Sequence, residues 1–289
     1  MIKERFKMKL IDCHTHTHFS VDSEADPREM LEKACSLGLA AYAVTDHAEC
    51  NRWYSKEHYA DDPTYPYYDF GEDFERSVTA VAKLKEEYKD RLDVICGIEM
   101  GQATHNFEIA EKIVSDSRLD FVIGSMHQLP RTEDFAFLDY DTMSTGDLYT
   151  LAEKYFIEIH KLCRWGKFDV LGHLTYMLRY IKCRGGIDLD ISRFDDIIEE
   201  SLRCLAEKGK GIEINTSGYR QGYGNSFPDL KYVKLFRELG GEIISIGSDA
   251  HTVEDLGDSI EKGVQTAFDA GFTRICVFKK CKPCFIDIE

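Results

Sequence analysis

Three histidines stand at alternate positions near the start of the chain, His14, His16 and His18 in IDCHTHTHFSVDS, with Asp22 close behind, although the whole sequence holds only ten histidines. Further residues able to bind a metal close later apolar runs: His47 in AYAVTDH, Glu99 in DVICGIEMG, His127 in DFVIGSMH, His173 in FDVLGHL, and Asp249 with His251 in EIISIGSDAH. A lone histidine ending such a run is most often a hydrogen-bonded core residue. Six runs doing so together are harder to assign to packing, because burying that many imidazoles and carboxylates unpaired would cost about 1–3 kcal/mol each. A cluster of divalent ions removes that cost. Mixed imidazole and carboxylate donors suit zinc, iron or manganese, and the absence of thiolates at these positions argues against a closed structural zinc site. In a strand, residues two apart point to one side, so His14 with His16 and Asp249 with His251 can each present two donors to one cavity.

Donors spread from residue 14 to residue 251 can meet only if the fold gathers the ends of those runs. Short β-branched or apolar runs alternate with amphipathic stretches of helical length, the pattern of a parallel sheet with crossover helices. Seven strands are expected: KLIDCH, AYAVTDH, DVICGIEMG, DFVIGSMH, FDVLGHL, GIEINTS and EIISIGSDAH, followed by an apolar run, RICVF. Helices include PREMLEKACSLG, with proline at its first turn and Gly38 at its end, and DDIIEESLRCLAEKG, stopping at Gly209. This pattern predicts an α/β fold of the TIM type with seven or eight strands, taken here as one barrel domain over 1–289. Active sites of such barrels form at the carboxyl ends of the strands, where the donors lie. An open doubly wound sheet is the other option, but no GxGxxG follows the first strand. The irregular, tyrosine-rich and acidic segment 51–73 reads as a functional lid or as a packed surface loop.

The formal charge of −16 argues against nucleic acid as the main partner. No apolar run approaches the about 20 residues of a membrane span, and MIKERFKMKL carries charges where a signal peptide is apolar, so a soluble, cytoplasmic protein is expected. Ten scattered cysteines suit reduced thiols; only CKPC, Cys281 to Cys284, has the spacing of a redox or metal motif, against a plain carboxy-terminal turn.

In order, HTH, TDH, GIE, SMH, GHL and SDAH resemble the polymerase-and-histidinol-phosphatase (PHP) superfamily of metal-dependent phosphoesterases, and GIEINTSGYRQGYGNSFPD and FRELGGEIISIGSDAH resemble its histidinol-phosphatase branch. The resemblance runs along the whole chain. It implies a distorted seven-stranded βα barrel and three divalent ions, zinc, manganese or iron. By position it implies one ion on His14, His16, Glu99 and Asp249, a second on Glu99, His127 and His173, and a third on Asp22, His47 and His251. His18 has no ligand counterpart and is expected behind the ligands or facing substrate. The implied activity is hydrolysis of histidinol phosphate to histidinol and phosphate in histidine biosynthesis. The alternative is another phosphomonoester or a nucleotide as substrate of the same site. A non-catalytic metal-binding barrel and an amidohydrolase-like carbonyl hydrolase are weaker readings, since the ligand set is intact and TDH and GIE fit the latter poorly.

The expected nucleophile is a metal-held hydroxide attacking phosphorus in line, with Glu99 bridging two ions. Three divalent ions against Asp22, Glu99 and Asp249 leave the cavity positive by about three charges, while distant surface acids are screened beyond roughly 8 Å. Asp46, beside His47, is the candidate general acid, or else only orients an imidazole. Arg179 is the first candidate for gripping the phosphoryl oxygens, with Arg220 and His105 behind it. A small phosphorylated substrate is the expected partner. Neither metal identity nor oligomeric state is legible.

Overall fold

A computed structural model describes residues 10–53 and 70–288. The expected lid therefore falls largely outside the described residues, since 54–69 are not among them. The strands are β1 Ile11–Asp12, β2 Ala41–Val44, β3 His47–Glu49, β4 Asp93–Gly101, β5 Phe121–Ser125, β6 Val170–Leu171, β7 Gly211–Asn215 and β8 Ile244–Gly247. They pair in parallel in chain order, with β2 and β3 lying one after the other along β4, Ala41 opposite Asp93 and His47 opposite Glu99. These eight segments occupy seven positions, because β3 continues β2 after a break at Thr45 and Asp46. The two ends of the sheet meet: Cys13 N–H donates to Ile246 O (2.9 Å), Asp249 N–H to His14 O (2.7 Å) and His16 N–H to Ala250 O (2.8 Å). The result is the expected α/β barrel of TIM type with seven strand positions.

The strands are buried nearly throughout, which is why their sequences read as continuous apolar runs rather than as an alternation. Helices α1 Pro27–Leu37, α2 Phe70–Tyr88, α3 Phe107–Val114, α4 Thr145–Trp165, α5 Met177–Cys183, α6 Asp195–Glu207, α7 Ser217–Arg220, α8 Leu230–Glu238 and α9 Ile260–Asp269 lie between them in sequence. Local signals fix several ends. Asp26 accepts from the N–H groups of Arg28 and Glu29 to cap α1, and Gly38 takes the left-handed conformation that closes it. Ser144 and Asp147 form a reciprocal capping box on α4.

After α9, an antiparallel hairpin of β9 Arg274–Lys279 and β10 Lys282–Asp287 follows. CKPC is its turn: Cys281 lies at the reversal and Cys284 on β10 opposite Val277. Both thiols are free, and neither joins a group of metal-binding side chains among the described residues. Among the described residues no helix is long and apolar enough to cross a membrane.

Candidate functional site

Only Glu99 and His47 sit inside strands; the other donors lie within four residues of a strand end, except Asp22, which lies ten residues past β1 in the segment leading to α1. His14 and His16 follow β1 on backbone still extended enough for Thr15 to bridge Ala250 of the other barrel edge, so both rings face inward as strand alternation predicts. Asp249 and His251 reach the same place differently. β8 ends at Gly247, and Asp249 takes a left-handed conformation (φ 55°), so its carboxylate is aimed by a turn rather than by the pleat. Such a conformation in a non-glycine residue is held by its surroundings and is common at functional sites.

His14 Nε2 lies 3.1 Å from His16 Nε2, 3.3 Å from Glu99 Oε2 and 3.7 Å from Asp249 Oδ1. His16 Nε2 lies 3.5 Å from that Glu99 oxygen and 3.4 Å from Asp249 Oδ1. Donors bonded at about 2.0–2.2 Å to one tetrahedral ion stand roughly 3.3 Å apart, so these spacings fit a shared cation. The other Glu99 oxygen lies 3.0 Å from His127 Nε2 and 2.7 Å from His173 Nε2, and the two imidazole nitrogens are 3.4 Å apart. Asp22 spans a third group, 3.5 Å from His47 Nε2 and 3.2 Å from His251 Nε2. His47 Nδ1 is buried 3.1 Å from Glu99 Oε2 yet makes no hydrogen bond. An orphaned buried nitrogen facing a carboxylate oxygen, and imidazole nitrogens facing each other, are what a divalent cation would satisfy.

The field has the same sense. Burial opposes the charge of Glu99, but His127 and His14 outweigh it and hold the carboxyl well below the usual range; His14 does the same for Asp249. Burial likewise opposes protonation of His14 and His127, yet Glu213 and Glu99 for the first, and Glu99 and Glu49 for the second, raise both well above ordinary histidine. Carboxylates whose field holds protons on the neighbouring imidazoles would hold a metal ion there in the protons' place. His16 goes the other way, down to about 3, through burial and then the charges of His251 and His47, which keeps its ring neutral and its lone pair available.

Two carboxylates escaped the sequence reading. Glu213 Oε1 lies 2.6 Å from His14 Nδ1, and Glu49 Oε1 lies 3.0 Å from His127 Nδ1. Each holds the far nitrogen of a ring and leaves Nε2 to the cluster, the usual outer partner of a metal-binding histidine. Glu49 carried a signal, two residues past His47 on β3; Glu213 sits inside GIEIN, where no strand-end donor drew attention.

The cluster floors a cleft of about 690 Å³. Arg179 and Arg220 line it, together with Arg52, Glu133, Asp134, Phe137 and Tyr176. The Arg179 guanidinium sits 4.7 Å over the Tyr176 ring and 4.4 Å over that of Tyr180, donates to Gln221 Oε1 (2.7 Å) and to the Tyr180 hydroxyl, and leaves its buried Nε–H without a partner. Arg220 donates to the backbone carbonyls of Ser248 and Asp249 and pairs with Asp255. It therefore fixes the turn that aims Asp249.

Three expected residues are not brought to the cleft. His18 is exposed, its ring tilted against that of Phe19. His105 is tucked behind the strand ends, with Nε2 buried and unpartnered and its pKa lowered to about 4 by burial. Asp46 is buried beneath the ligands, facing away from the cavity, and accepts four hydrogen bonds from Thr17, Ser20 and Ser77. A proton donor must reach the leaving oxygen, so this placement corrects the expectation that Asp46 is the general acid. Consecutive residues on extended backbone point to opposite sides, so with His47 facing the cluster Asp46 faces away from it.

The sequence model of the PHP domain matches residues 12–217. The chain is 26% identical over 276 residues to a histidinol-phosphatase of Lactococcus lactis, covering 95% of this chain and 96% of that protein. It is also 26% identical to the histidinol-phosphatase of Bacillus subtilis, covering 88% of this chain and 98% of that protein. Its fold is similar to the crystal structure of histidinol phosphate phosphatase from Lactococcus lactis complexed with zinc, L-histidinol and phosphate, with a TM-score of 0.77 and 27% identity, covering 96% of this chain and 99% of that one.

Proposed function

Because this chain belongs to the PHP domain family, we propose that it is a histidinol-phosphate phosphatase, a metal-dependent hydrolase releasing histidinol and phosphate in histidine biosynthesis. The observation that carries the reading is the convergence of imidazole donors on both oxygens of Glu99, next to Arg179, a partly buried guanidinium that lines the same cleft. A cation cluster and a partly buried arginine together fit a phosphoryl dianion and few other ligands.

On this reading three divalent ions, of zinc, manganese or iron, are held by His14, His16, Glu99 and Asp249, by Glu99, His127 and His173, and by Asp22, His47 and His251. When bound, such ions supply Lewis acidity, lowering the pKa of water and offsetting charge on phosphoryl oxygens. The chain's own residues do the rest. With Glu49 and Glu213 counted beside the three ligand carboxylates, the local excess of positive charge drops to about one, well below the sequence-based value, so the Arg179 cation carries more of the phosphate's charge. Gln221 and the two tyrosine rings hold that guanidinium in place before substrate arrives, which lowers the ordering cost of binding. Tyr176 covers His127 and His173, with ring centroids at 5.1 and 4.7 Å, and keeps water from that side of the cluster. Glu133, Asp134 and Phe137 line the cleft with the negative charge and aromatic face that an amine and an imidazole require.

The test is release of inorganic phosphate from histidinol phosphate by protein reconstituted with zinc, manganese or iron, beside a panel of nucleoside and sugar monophosphates, with elemental analysis of the same sample. Preference for histidinol phosphate is expected. Equal or better turnover of another phosphomonoester reassigns the substrate, and no release by metal-loaded protein removes the activity.

A further inference from the structure

His16 has no carboxylate on its Nδ1, unlike His14 with Glu213 and His127 with Glu49. Its Nδ1 lies instead 3.0 Å from the Ser20 hydroxyl oxygen. That oxygen is 2.8 Å from Asp46 Oδ1 and also receives the backbone N–H of His47 at 3.1 Å. A hydroxyl has one hydrogen to give and two lone pairs to receive with. Asp46 Oδ1 already accepts the N–H of Thr17 at 2.6 Å, while Oδ2 accepts the hydroxyls of Thr17 (2.9 Å) and Ser77 (2.7 Å). With Asp46 as a carboxylate, two oxygens at 2.8 Å with no hydrogen between them would repel, so the Ser20 hydrogen points at Asp46. One lone pair of Ser20 takes the His47 N–H. The other can be used only by a hydrogen on His16 Nδ1.

We propose that Asp46, acting through Ser20, is a positioning residue that holds His16 as the Nδ1–H tautomer and so delivers its Nε2 lone pair to the metal group shared with His14, Glu99 and Asp249. The arrangement repeats the carboxylate–imidazole pairs at His14 and His127 with one hydroxyl inserted. It gives Asp46 a purpose that its distance from the cleft denies it as an acid. The inference rests on the metal-binding reading of that group and is independent of the substrate.

The experiment compares wild type with Ser20→Ala and Asp46→Asn. Zinc dissociation constants are measured by competition with a chromophoric chelator, histidine tautomers by long-range 15N–1H NMR on metal-free protein, and melting on the same metal-free samples. In Ser20→Ala the tightest-binding step weakens about 10–100-fold and the His16 Nδ1–H signature is lost; metal-free melting also falls, since Asp46, His16 and the His47 N–H each lose a partner, so affinity and tautomer are read well below that melting point. Asp46→Asn is the conservative rescue: its amide oxygen can keep facing Thr17 N–H and Ser20 while its NH2 meets hydroxyls that can rotate to accept. It retains the tautomer and binds zinc within about three-fold of wild type. Zinc affinity in Ser20→Ala equal to wild type overturns the proposal, as does an Nε2–H tautomer of His16 in metal-free wild type. An Asp46→Asn protein fully loaded with metal but slowed a hundred-fold also overturns it, by making Asp46 a proton donor. Wild-type protein that binds no zinc removes the metal reading itself, a failure distinguishable from the others because no variant is needed to see it.

Discussion

At the scale of single residues the site separates charges that are balanced inside the protein from charges left for a ligand. Arg220 is spent on the backbone of Ser248 and Asp249, whereas Arg179 keeps a buried N–H with no partner. Arg179→Ala should therefore lower kcat/KM for a phosphomonoester about 100-fold or more, and Arg179→Lys should recover little of it, because an ammonium cannot fork onto two oxygens or present a planar face to a tyrosine ring. Steady-state kinetics at saturating metal check this, and a change of less than three-fold would exclude Arg179 from phosphate binding. His105 yields a prediction about stability. Burial lowers its pKa from 6.5 to about 4, so the unfolded chain takes up a proton that the folded chain refuses. The resulting stability is fully present above pH 6.5 and is lost as the pH falls from 6.5 towards 4. His105→Asn should show a shallower loss of melting temperature than wild type across that window, and parallel profiles would show that the histidine is not held neutral.

At the scale of elements the strands matter less for their length than for what stops them. β1 and β6 are two residues long and β8 is four, and their donors lie in the turns that follow. Gly247, the last residue of β8, shows how tightly those turns are packed. A Cβ there would come within 2.2 Å of His14 Cβ and 2.6 Å of Glu213 Oε1. Gly247→Ala must push apart the pair that orients His14, so it should cost about 1–3 kcal/mol of stability as overpacking and weaken the first metal group as well. Thermal unfolding of metal-free protein reads the first effect and zinc titration the second; wild-type affinity in this variant would mean that Glu213 is dispensable. The sequence foretold the alternation of strands and helices well, because buried parallel strands and capped amphipathic helices are local patterns. It could not show the interruption at Thr45 and Asp46. Nothing in AYAVTDHAEC distinguishes one long strand from two short ones, although plain alternation along extended backbone already sets Asp46 and His47 on opposite sides.

At the scale of the whole molecule, closing the sheet crowds nine side chains able to bind metal and two further carboxylates at one end of the barrel. Without cations much of this charge is balanced only by protonated imidazoles, so chelation should lower the melting temperature, and added zinc, manganese or iron should raise it by mass action. The three groups should not empty together. His14, His16, Glu99, His127 and His173 are buried, whereas Asp22 is half-exposed and His47 and His251 are partly open. The Asp22, His47 and His251 group should give up its ion first, which metal content followed during timed chelation would show; simultaneous loss of all ions would indicate one cooperative cluster instead. By itself the sequence determined the alternation of elements and the set of side chains able to bind metal, because these depend on residue type and on order along the chain. The tertiary structure alone decided which donors share a centre, which carboxylates stand behind them, and which of Asp46, His18, His105, Arg179 and Arg220 face the cleft. Those outcomes depend on where strands end and on which way a turn swings a side chain, and both are set by contacts between distant segments, some more than two hundred residues apart, such as Asp249 with His14.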